Sequence, residues 1–197
     1  MDDNYVAIDS CHIDLIYGLI RASKPTEVLE MGFGTGRTAK AILEALDANN
    51  KFYSYVLVEN FTDTKNNLSE NDKVLQKIDA LIFDENRTFT NNIHRVFKVN
   101  EKSAVESFVK ENRKFDFIVS DADHDHSHNW FDKTISLLNE NGVGVFHDVL
   151  HKNYPNLRKN IQYCKDHNLT YQVFSKSSSS GELCERGLLV VFRKENK

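Results

Sequence analysis

Apolar residues follow two spacings along the chain. Some form short runs bounded by glycine or polar residues, as in strands, and others recur every three or four positions, as on one face of a helix. The short runs predict seven strands, at 27–31, 53–58, 93–99, 115–120, 143–146, 170–174 and 188–192. The longer spacing predicts helices at about 9–23, 37–46, 72–82, 101–111, 129–139 and 155–167.

Strands and helices alternate over most of the length, which is the pattern of an α/β domain with a mostly parallel sheet. Because the crossovers between parallel strands are right-handed, helices are expected on both faces of the sheet. The last two predicted strands are joined by a serine-rich loop around 177–181 without a helix, so they are expected to pair antiparallel. The 197 residues show no internal repeat and no linker, which indicates one domain.

A glycine-rich turn follows the first predicted strand, with Gly32, Gly34 and Gly36 at alternate positions. Glycines at such a turn let the backbone approach a ligand closely. Glu30 lies two positions before the first glycine, where a carboxylate would repel a pyrophosphate but suit a cationic ligand. Glu59 ends the second strand, where a carboxylate can accept hydrogen bonds from both hydroxyls of a ribose. Together these residues predict a nucleoside site without a phosphate cradle.

Polar groups also follow the fourth and fifth predicted strands. Asp121, Asp123 and His124 come after one strand, and His147 and Asp148 come after the next. Open α/β sheets bind ligands at the carboxyl ends of their strands, so these side chains are expected at one rim of the sheet. Two carboxylates that approach each other there need a cation or a proton between them.

Charge and composition narrow the classes of partner. Lys and Arg number 25 against 29 Asp and Glu, a net charge of −4, which is a poor match for a nucleic-acid backbone. The longest apolar runs, such as 187–192, are far shorter than a membrane span, and the first residues lack a signal-peptide pattern, so a cytoplasmic location is expected. Cys11, Cys164 and Cys184 lie far apart, which indicates neither a disulfide framework nor a zinc ribbon.

The glycine turn and its acidic neighbours resemble motif one of the class I S-adenosylmethionine (SAM)-dependent methyltransferases. The later motifs Asp121-Ala122-Asp123-His124, Asn141-Gly142 and His147-Asp148 are similar to a small-molecule branch whose signature is Asp-Gly-Asp-His, Gly-Gly and His-Asp. Ala122 and Asn141 depart from that signature without removing a functional group. The segment 19–25, which leads into the glycine turn, also resembles the catechol-type O-methyltransferases.

The resemblance implies a single doubly wound, Rossmann-like methyltransferase domain over 1–197, with no separate substrate domain. Its seven-stranded sheet would be mostly parallel, with the last strand antiparallel. The resemblance assigns SAM binding to residues of the glycine turn and the strand ends, namely Glu30, Gly32, Gly34, Gly36, Glu59, Asn100 and Asp121. Glu30 would face the methionine end and Glu59 the ribose, while Asn100 or Val99 would meet the adenine. The alternative for Asn100 is an ordinary turn at the end of a strand.

Two versions of the chemistry remain open. In the catechol-type relatives two aspartates at these strand ends hold a divalent metal, and Asp121 and Asp148 occupy the matching places. Mg²⁺ or a similar cation there would orient and acidify a substrate hydroxyl. His147 stands where an oxygen ligand is expected, which favours a softer ion or no metal. Without a metal, His124 or His147 would be the general base beside a catalytic Asp121, since an ordinary histidine titrates near neutral pH.

The remaining histidines and aromatic residues receive structural interpretations. His126 and His128 invite a zinc site with His124, but a solvated loop is preferred for both, because three ligands on one short loop rarely converge. For His147 the alternative is a buried structural role. Trp130 and Phe131 are expected in the core, and His12 and Tyr17 at the surface, rather than against a ligand.

The predicted function is therefore transfer of a methyl group from SAM to an oxygen or nitrogen of a small molecule. The expected partners are that acceptor and, as one option for the assembly, a second copy in a homodimer, with no nucleic acid and no membrane. The first helix, the segment 60–92 and the serine-rich loop are expected to select the acceptor. An alternative is a non-catalytic nucleoside-binding protein of the same fold. A nicotinamide-dependent oxidoreductase is disfavoured by Glu30 and by the GxGxG spacing.

Overall fold

A computed structural model describes residues 10–60, 75–81, 92–175 and 186–194. The helices are α1 (Ser10–Ser23), α2 (Arg37–Ala48), α3 (75–81), α4 (Glu101–Lys110), α5 (Phe131–Ser136) and α6 (Arg158–Asp166). Two 3₁₀ turns cover Ser127–Trp130 and Pro155–Leu157. The strands are β1 (Glu27–Met31), β2 (Ser54–Val58), β3 (Ile93–Phe97), β4 (Phe115–Ser120), β5 (Leu138–Phe146), β6 (Thr170–Phe174) and β7 (Leu188–Phe192).

The strands form one seven-stranded sheet in the order β3-β2-β1-β4-β5-β7-β6. The pairs from β3 to β5 are parallel, and β7 pairs antiparallel with both β5 and β6. This confirms the predicted mostly parallel sheet with an antiparallel last strand. The chain order reverses between β1 and β4, and such a switch point opens a ligand crevice at the carboxyl ends of the strands.

Alternate side chains of the strands face two separate cores. Residues such as Val28, Leu57 and Val119 pack with α1, α2 and α3 on one face of the sheet. Residues such as Leu29 and Val56 pack with α4, α5 and α6 on the other face. The predicted layer of helices on each face is therefore confirmed, and burial from both sides explains why the central strands read as continuous apolar runs.

The predicted boundaries of the helix at 129–139 and of the strand after it are wrong. The helix predicted at 129–139 is a 3₁₀ turn and the short α5, and β5 begins at Leu138 rather than at Val143. Leu138 pairs with Phe115, and the ladder is irregular between Phe115 and Phe117 before regular pairing resumes at Val143. The polar stretch between Leu138 and Val143 hides this strand start, because pairing with β4 determines it rather than local propensity.

Two further predictions fall partly or wholly outside the described residues. Of the helix predicted at 72–82, residues 75–81 are described and are helical. The serine-rich loop at 177–181 lies outside the described residues. Among the helices that are described, none has the length and apolar character needed to cross a membrane.

Candidate active site

The glycine turn after β1 lies directly against the end of β4. The Gly32 amide donates to the Val58 carbonyl at 2.9 Å, and the Asp121 amide donates to the Met31 carbonyl at 2.9 Å, so three strand ends are joined. Gly32 has a φ of +93°, and a Cβ at this position would lie 2.3 Å from the Asp121 carbonyl oxygen. Glycine is therefore required at position 32 both by the backbone angle and by the close approach of β4.

Glu59 spans the glycine turn from the end of β2. Its Oε2 accepts a hydrogen bond from the Phe33 amide at 2.6 Å. Burial raises the pKa of Glu59, and backbone hydrogen bonds from Phe33, Asn60 and Gly34 oppose that rise. The predicted juxtaposition of Glu59 and the glycine turn is thus present, with the carboxylate at the edge of the crevice.

Glu30 lies beneath the turn and is fully buried. The Tyr55 hydroxyl donates a hydrogen bond to its Oε2, while its Oε1 has no hydrogen-bond partner among the described residues. Burial raises the pKa of Glu30 to about 8, because the Tyr55 hydrogen bond offsets only part of the desolvation and the charges of Asp121 and Glu59 add to it. A buried carboxyl group with one unpartnered oxygen is costly unless a donor or a cation reaches it.

A cleft of about 1150 Å³ opens beside the glycine turn. Its lining includes six of the predicted site residues, namely Gly32, Gly34, Glu59, Asn100, Asp121 and His124. Asn100 caps α4, because its Oδ1 accepts a hydrogen bond from the Ser103 amide at 2.8 Å. Gly36 begins α2 as its N-cap residue, with a φ of +80°.

Two aspartates and two histidines meet at the ends of β4 and β5 and are called here the Asp–His cluster (Asp121, His124, His147 and Asp148). Nε2 of His124 lies 3.1 Å from Oδ1 of Asp121 and 3.1 Å from Oδ2 of Asp148. Nδ1 of His147 lies 3.1 Å from Oδ1 of Asp121 and 3.2 Å from Oδ1 of Asp148. The predicted convergence of these four side chains on one rim is present in the structure.

The charges in the Asp–His cluster stabilise one another. Burial alone would raise the pKa of Asp121, but hydrogen bonds from His124 and His147 outweigh it, and the pKa lies well below its ordinary value. Burial alone would lower the pKa of His124, but Asp121 and Asp148 raise it to about 10. His124 is therefore a cation at neutral pH, and it supplies the positive charge that two adjacent carboxylates require. In that form it cannot accept a proton, so the predicted general-base role requires that His124 first lose its proton.

The same side chains fit a divalent cation. One ligand atom from each of Asp121, His124 and Asp148 lies within 4.8 Å of the other two. Asp148 has a φ of +60°, and its buried Oδ1 accepts no well-directed hydrogen bond from the described residues. Two carboxylates and one imidazole suit Mn²⁺, Fe²⁺ or Zn²⁺ better than Mg²⁺. The predicted pair of metal ligands thus gains His124 as a third candidate, while the side chain of His126 is 67% exposed.

His147 and His12 lie deeper than the cleft. The side chain of His147 is only 1% exposed, which fits the alternative of a buried histidine. His12 is 3% exposed, so its predicted surface placement is wrong, whereas Tyr17 on the same helix is 37% exposed. Trp130 and Phe131 are buried in the core below α5, as expected, and Trp130 also borders the cleft.

Glu101 is a site residue that the sequence did not reveal. It is 4% exposed at the start of α4, and its carboxylate accepts hydrogen bonds from the Ser120 hydroxyl at 2.9 Å and the Asp123 amide at 3.0 Å. Burial raises the pKa of Glu101 to about 6 against these hydrogen bonds. The residue ties α4 to the loop after β4 and so shapes one wall of the cleft. The only sequence signal was an acidic residue in the first turn of a helix, which is usually explained by the helix dipole.

Comparison with known proteins agrees with this site. The sequence model of a family described as "Methyltransferase domain" matches residues 29–149, which include the glycine turn, Glu59 and the Asp–His cluster. No curated protein sequence gives a significant match.

Among solved structures, an O-methyltransferase from Bacillus cereus in complex with S-adenosylhomocysteine (SAH) is similar, with a TM-score of 0.73 and 14% identity over 95% of this chain and 83% of that one. The O-methyltransferase TomG from Streptomyces achromogenes, involved in tomaymycin synthesis and in complex with SAM, has a TM-score of 0.70 and 14% identity. That match covers 96% of this chain and 82% of TomG. A putative caffeoyl-CoA O-methyltransferase from Staphylococcus aureus has a TM-score of 0.67 and 20% identity, over 95% of this chain and 85% of that one. At these identities the structural likeness establishes the fold.

Fold and site together define a doubly wound α/β protein with a polar cleft at the switch point of its sheet. Since the family model spans well over half of the chain, the protein belongs to the methyltransferase domain family. The predicted class I methyltransferase is confirmed at that level.

Proposed function

We propose that this methyltransferase moves the methyl group of SAM to a hydroxyl oxygen of a small molecule bound at the Asp–His cluster. The observation that carries the proposal is the position of Asp121. Its backbone lies against Gly32 of the glycine turn, and its side chain accepts hydrogen bonds from both histidines of the cluster. A ligand in the glycine turn is thereby adjacent to the groups that would hold an acceptor.

The donor end of the cleft is lined by the glycine turn and Glu59, and the fully buried Glu30 lies beneath the turn, outside the lining. A nucleoside ribose fits beside Glu59, whose carboxylate can accept from two hydroxyls. SAM carries a positive sulfonium and a positive amino group, and Glu30 is a buried carboxyl group with an unpartnered oxygen. A cationic ligand near Glu30 would favour its ionised form and offset part of the desolvation that keeps its pKa high.

The acceptor end is the Asp–His cluster. The reaction forms a bond from the acceptor oxygen to the methyl carbon and breaks the bond from that carbon to sulfur. The hydroxyl proton passes to solvent, or to His124 once that ring has lost its own proton. Holding the two reactants in line is the main task of the protein, since the donor loses its charge as the methyl departs. Asp121, His124 and Asp148 would hold a divalent cation, and such a cation, when bound, would orient and acidify the acceptor hydroxyl.

Support for an oxygen acceptor comes from the cluster and from the similar structures. Carboxylates paired with an imidazolium or a metal can orient a hydroxyl for the loss of its proton, whereas a neutral amine needs less help. All three similar structures named above are described as O-methyltransferases. We further propose that one domain carries both ends of the cleft, with α1, the segment 60–92 and the serine-rich loop selecting the acceptor.

Binding of SAH to the purified protein tests the donor end. Calorimetry should give a micromolar-range dissociation constant, and Glu59→Ala should weaken binding by about 1.5–3 kcal/mol, roughly 10- to 150-fold. Glu44→Gln, at an exposed position on α2, is the matched control and should leave the affinity unchanged. Equal affinity in Glu59→Ala and the parent would remove Glu59 from the site.

A transfer assay tests the acceptor end. SAM with an isotopically labelled methyl group is incubated with matched pairs of small phenols and anilines that differ only in the hydroxyl or amino group. Label should appear in the phenols. Transfer to the anilines alone would contradict the oxygen assignment, and SAH binding without any transfer would favour the non-catalytic nucleoside-binding alternative.

A further inference from the structure

A buried histidine on α1 contacts the Asp–His cluster from below. Nδ1 of His12 lies 3.2 Å from Nε2 of His147, and the two rings meet edge to face with their centroids 5.3 Å apart. Both residues are buried, His12 at 3% and His147 at 4% exposure. The contact joins the first described helix to the loop after β5, which lies 135 residues later in the chain.

The surroundings of His147 determine which ring nitrogen carries a proton. Its Nδ1 faces the carboxylates of Asp121 and Asp148 at 3.1 and 3.2 Å. An ionised carboxylate can only accept, so Nδ1 of His147 carries a proton. When the ring of His147 is neutral, its Nε2 is then an acceptor, and the group that contacts this nitrogen is Nδ1 of His12. Without His12, that buried Nε2 would lose its partner.

We propose that His12 is a positioning residue, which holds the ring of His147 so that its Nδ1–H stays directed at Asp121. The hydrogen bonds then run in one direction, from His12 to His147 and from His147 to Asp121. This inference rests on the proposed function, since it assigns α1 a part in methyl transfer.

The consequence for the reaction follows from Asp121. The same oxygen, Oδ1, accepts from His147 on the buried side and from His124 on the cleft side. If the ring of His147 turned over or changed tautomer, Asp121 would lose one of these donors and its carboxylate could rotate. His147 itself is too deeply buried to reach an acceptor in the cleft, so it acts through Asp121. Partners that orient a catalytic or metal-binding group in this way are typically worth a factor of 10 to 100 in activity.

The test compares three variants on α1. His12→Asn retains an N–H group close to the position of Nδ1, and His12→Leu fills the space without a hydrogen bond. Ile16→Val loosens the packing of the same helix and leaves the His12 side chain unchanged. Nitrogen-15 spectra of the histidine rings are recorded near neutral pH after chelator treatment, and the His147 signals are assigned with a His147→Gln variant.

The wild type and His12→Asn should show a proton on Nδ1 of His147 and an accepting Nε2, whereas His12→Leu should show a mixture of tautomers. In the transfer assay, His12→Leu should lower kcat roughly tenfold or more, with KM for SAM unchanged, and His12→Asn should restore most of it. Ile16→Val should change neither readout.

Three results would each overturn the proposal. The first is a His147 spectrum in His12→Leu identical to that of the wild type. The second is an unchanged kcat in His12→Leu. The third is a kcat in His12→Asn as low as in His12→Leu although the His147 spectrum of His12→Asn is preserved. If the wild type neither binds SAH nor transfers methyl groups, the proposed function fails by itself, while the ring spectra still decide whether His12 holds His147.

Discussion

Carboxyl groups lie at both ends of the site, but among the described residues the imidazole of His124 contacts only those at the acceptor end. At the donor end, burial raises the pKa of Glu30 to about 8 and also raises that of Glu59. At the acceptor end, His124 is held protonated with a pKa of about 10, and the pKa of Asp121 is lowered. The two ends use the same kind of side chain in opposite electrostatic states.

This difference indicates what each end lacks. At neutral pH the buried Glu30 is mostly protonated, since no basic side chain among the described residues contacts it, so its ionised form would need a positive charge from the ligand. The acceptor end is already partly neutralised by an imidazolium, so a metal ion that takes His124 as a ligand must displace its proton. The following predictions test the two ends separately.

The largest expected effect concerns the stability of the donor end. The pKa of Glu30 is about 8 in the folded protein against an ordinary 4.5, so the folded state binds more protons between these values. The stability that protonated Glu30 provides is fully present below about pH 4.5 and is lost as pH rises through 8. Between pH 5.5 and pH 9, the free energy of unfolding measured with urea should fall by several kcal/mol less in Glu30→Gln than in the wild type. Glu44→Gln is the control, and equal losses in Glu30→Gln and the wild type would contradict the buried, protonated state of Glu30.

The second prediction separates the two ends by mutation. Asp148→Asn removes a charge that His124 contacts at 3.1 Å but leaves the glycine turn and Glu59 untouched. Methyl transfer should fall by about 100-fold, because the positioned proton or cation at the acceptor end is lost. The affinity for SAH, measured by calorimetry, should stay the same. A parallel loss of SAH affinity would show that the two ends are not independent.

The third prediction decides between a proton and a metal at the acceptor end. If Mn²⁺ binds to Asp121, His124 and Asp148, it must displace the proton of His124, so its affinity should rise with pH by up to about tenfold per unit below the pKa near 10. Calorimetric titration of Mn²⁺ at pH 6.5 and 7.5 measures this dependence, with Asp148→Asn as the control that should not bind. If Mn²⁺ binds with this pH dependence, a chelator should remove the activity and added Mn²⁺ should restore it. Activity that survives chelator treatment would favour the metal-free chemistry with its histidines.

The convergence of the Asp–His cluster could be predicted because it follows from topology. Asp121 and His147 come directly after two apolar runs, and the ends of neighbouring parallel strands meet at one rim. Gly32 and Glu59 were predictable for the same reason, since β1 pairs with β2 in parallel. The start of β5 at Leu138 was not predictable, because a polar stretch forms a strand only through its pairing with Phe115.

Two residues of the site, His12 and Glu101, are placed by how their helices pack in the fold, which no local sequence pattern predicts. His12 is one polar residue on an otherwise apolar face with Ile16 and Ile20, and only the position of α1 beneath the end of β5 brings it to His147. Glu101 resembles an ordinary acidic residue at a helix start until the loop after β4 folds over it. The protonation of His124 was also hidden, because it needs both aspartates at 3.1 Å.

The smallest expected effect concerns the adenine side of the donor end, where Asn100 has two candidate roles. Its Oδ1 accepts from the Ser103 amide at 2.8 Å, so Asn100→Ala should cost about 1 kcal/mol of stability by removing the cap of α4. Asn100→Ser restores a capping side chain and should recover most of that loss, as measured by urea unfolding. The affinity for SAH should be the same in all three proteins if Asn100 only caps the helix. If the affinity for SAH falls in Asn100→Ala and Asn100→Ser does not restore it, the Asn100 amide contacts the adenine. Asn100 would then be a second residue, besides Glu59, that recognises the cofactor.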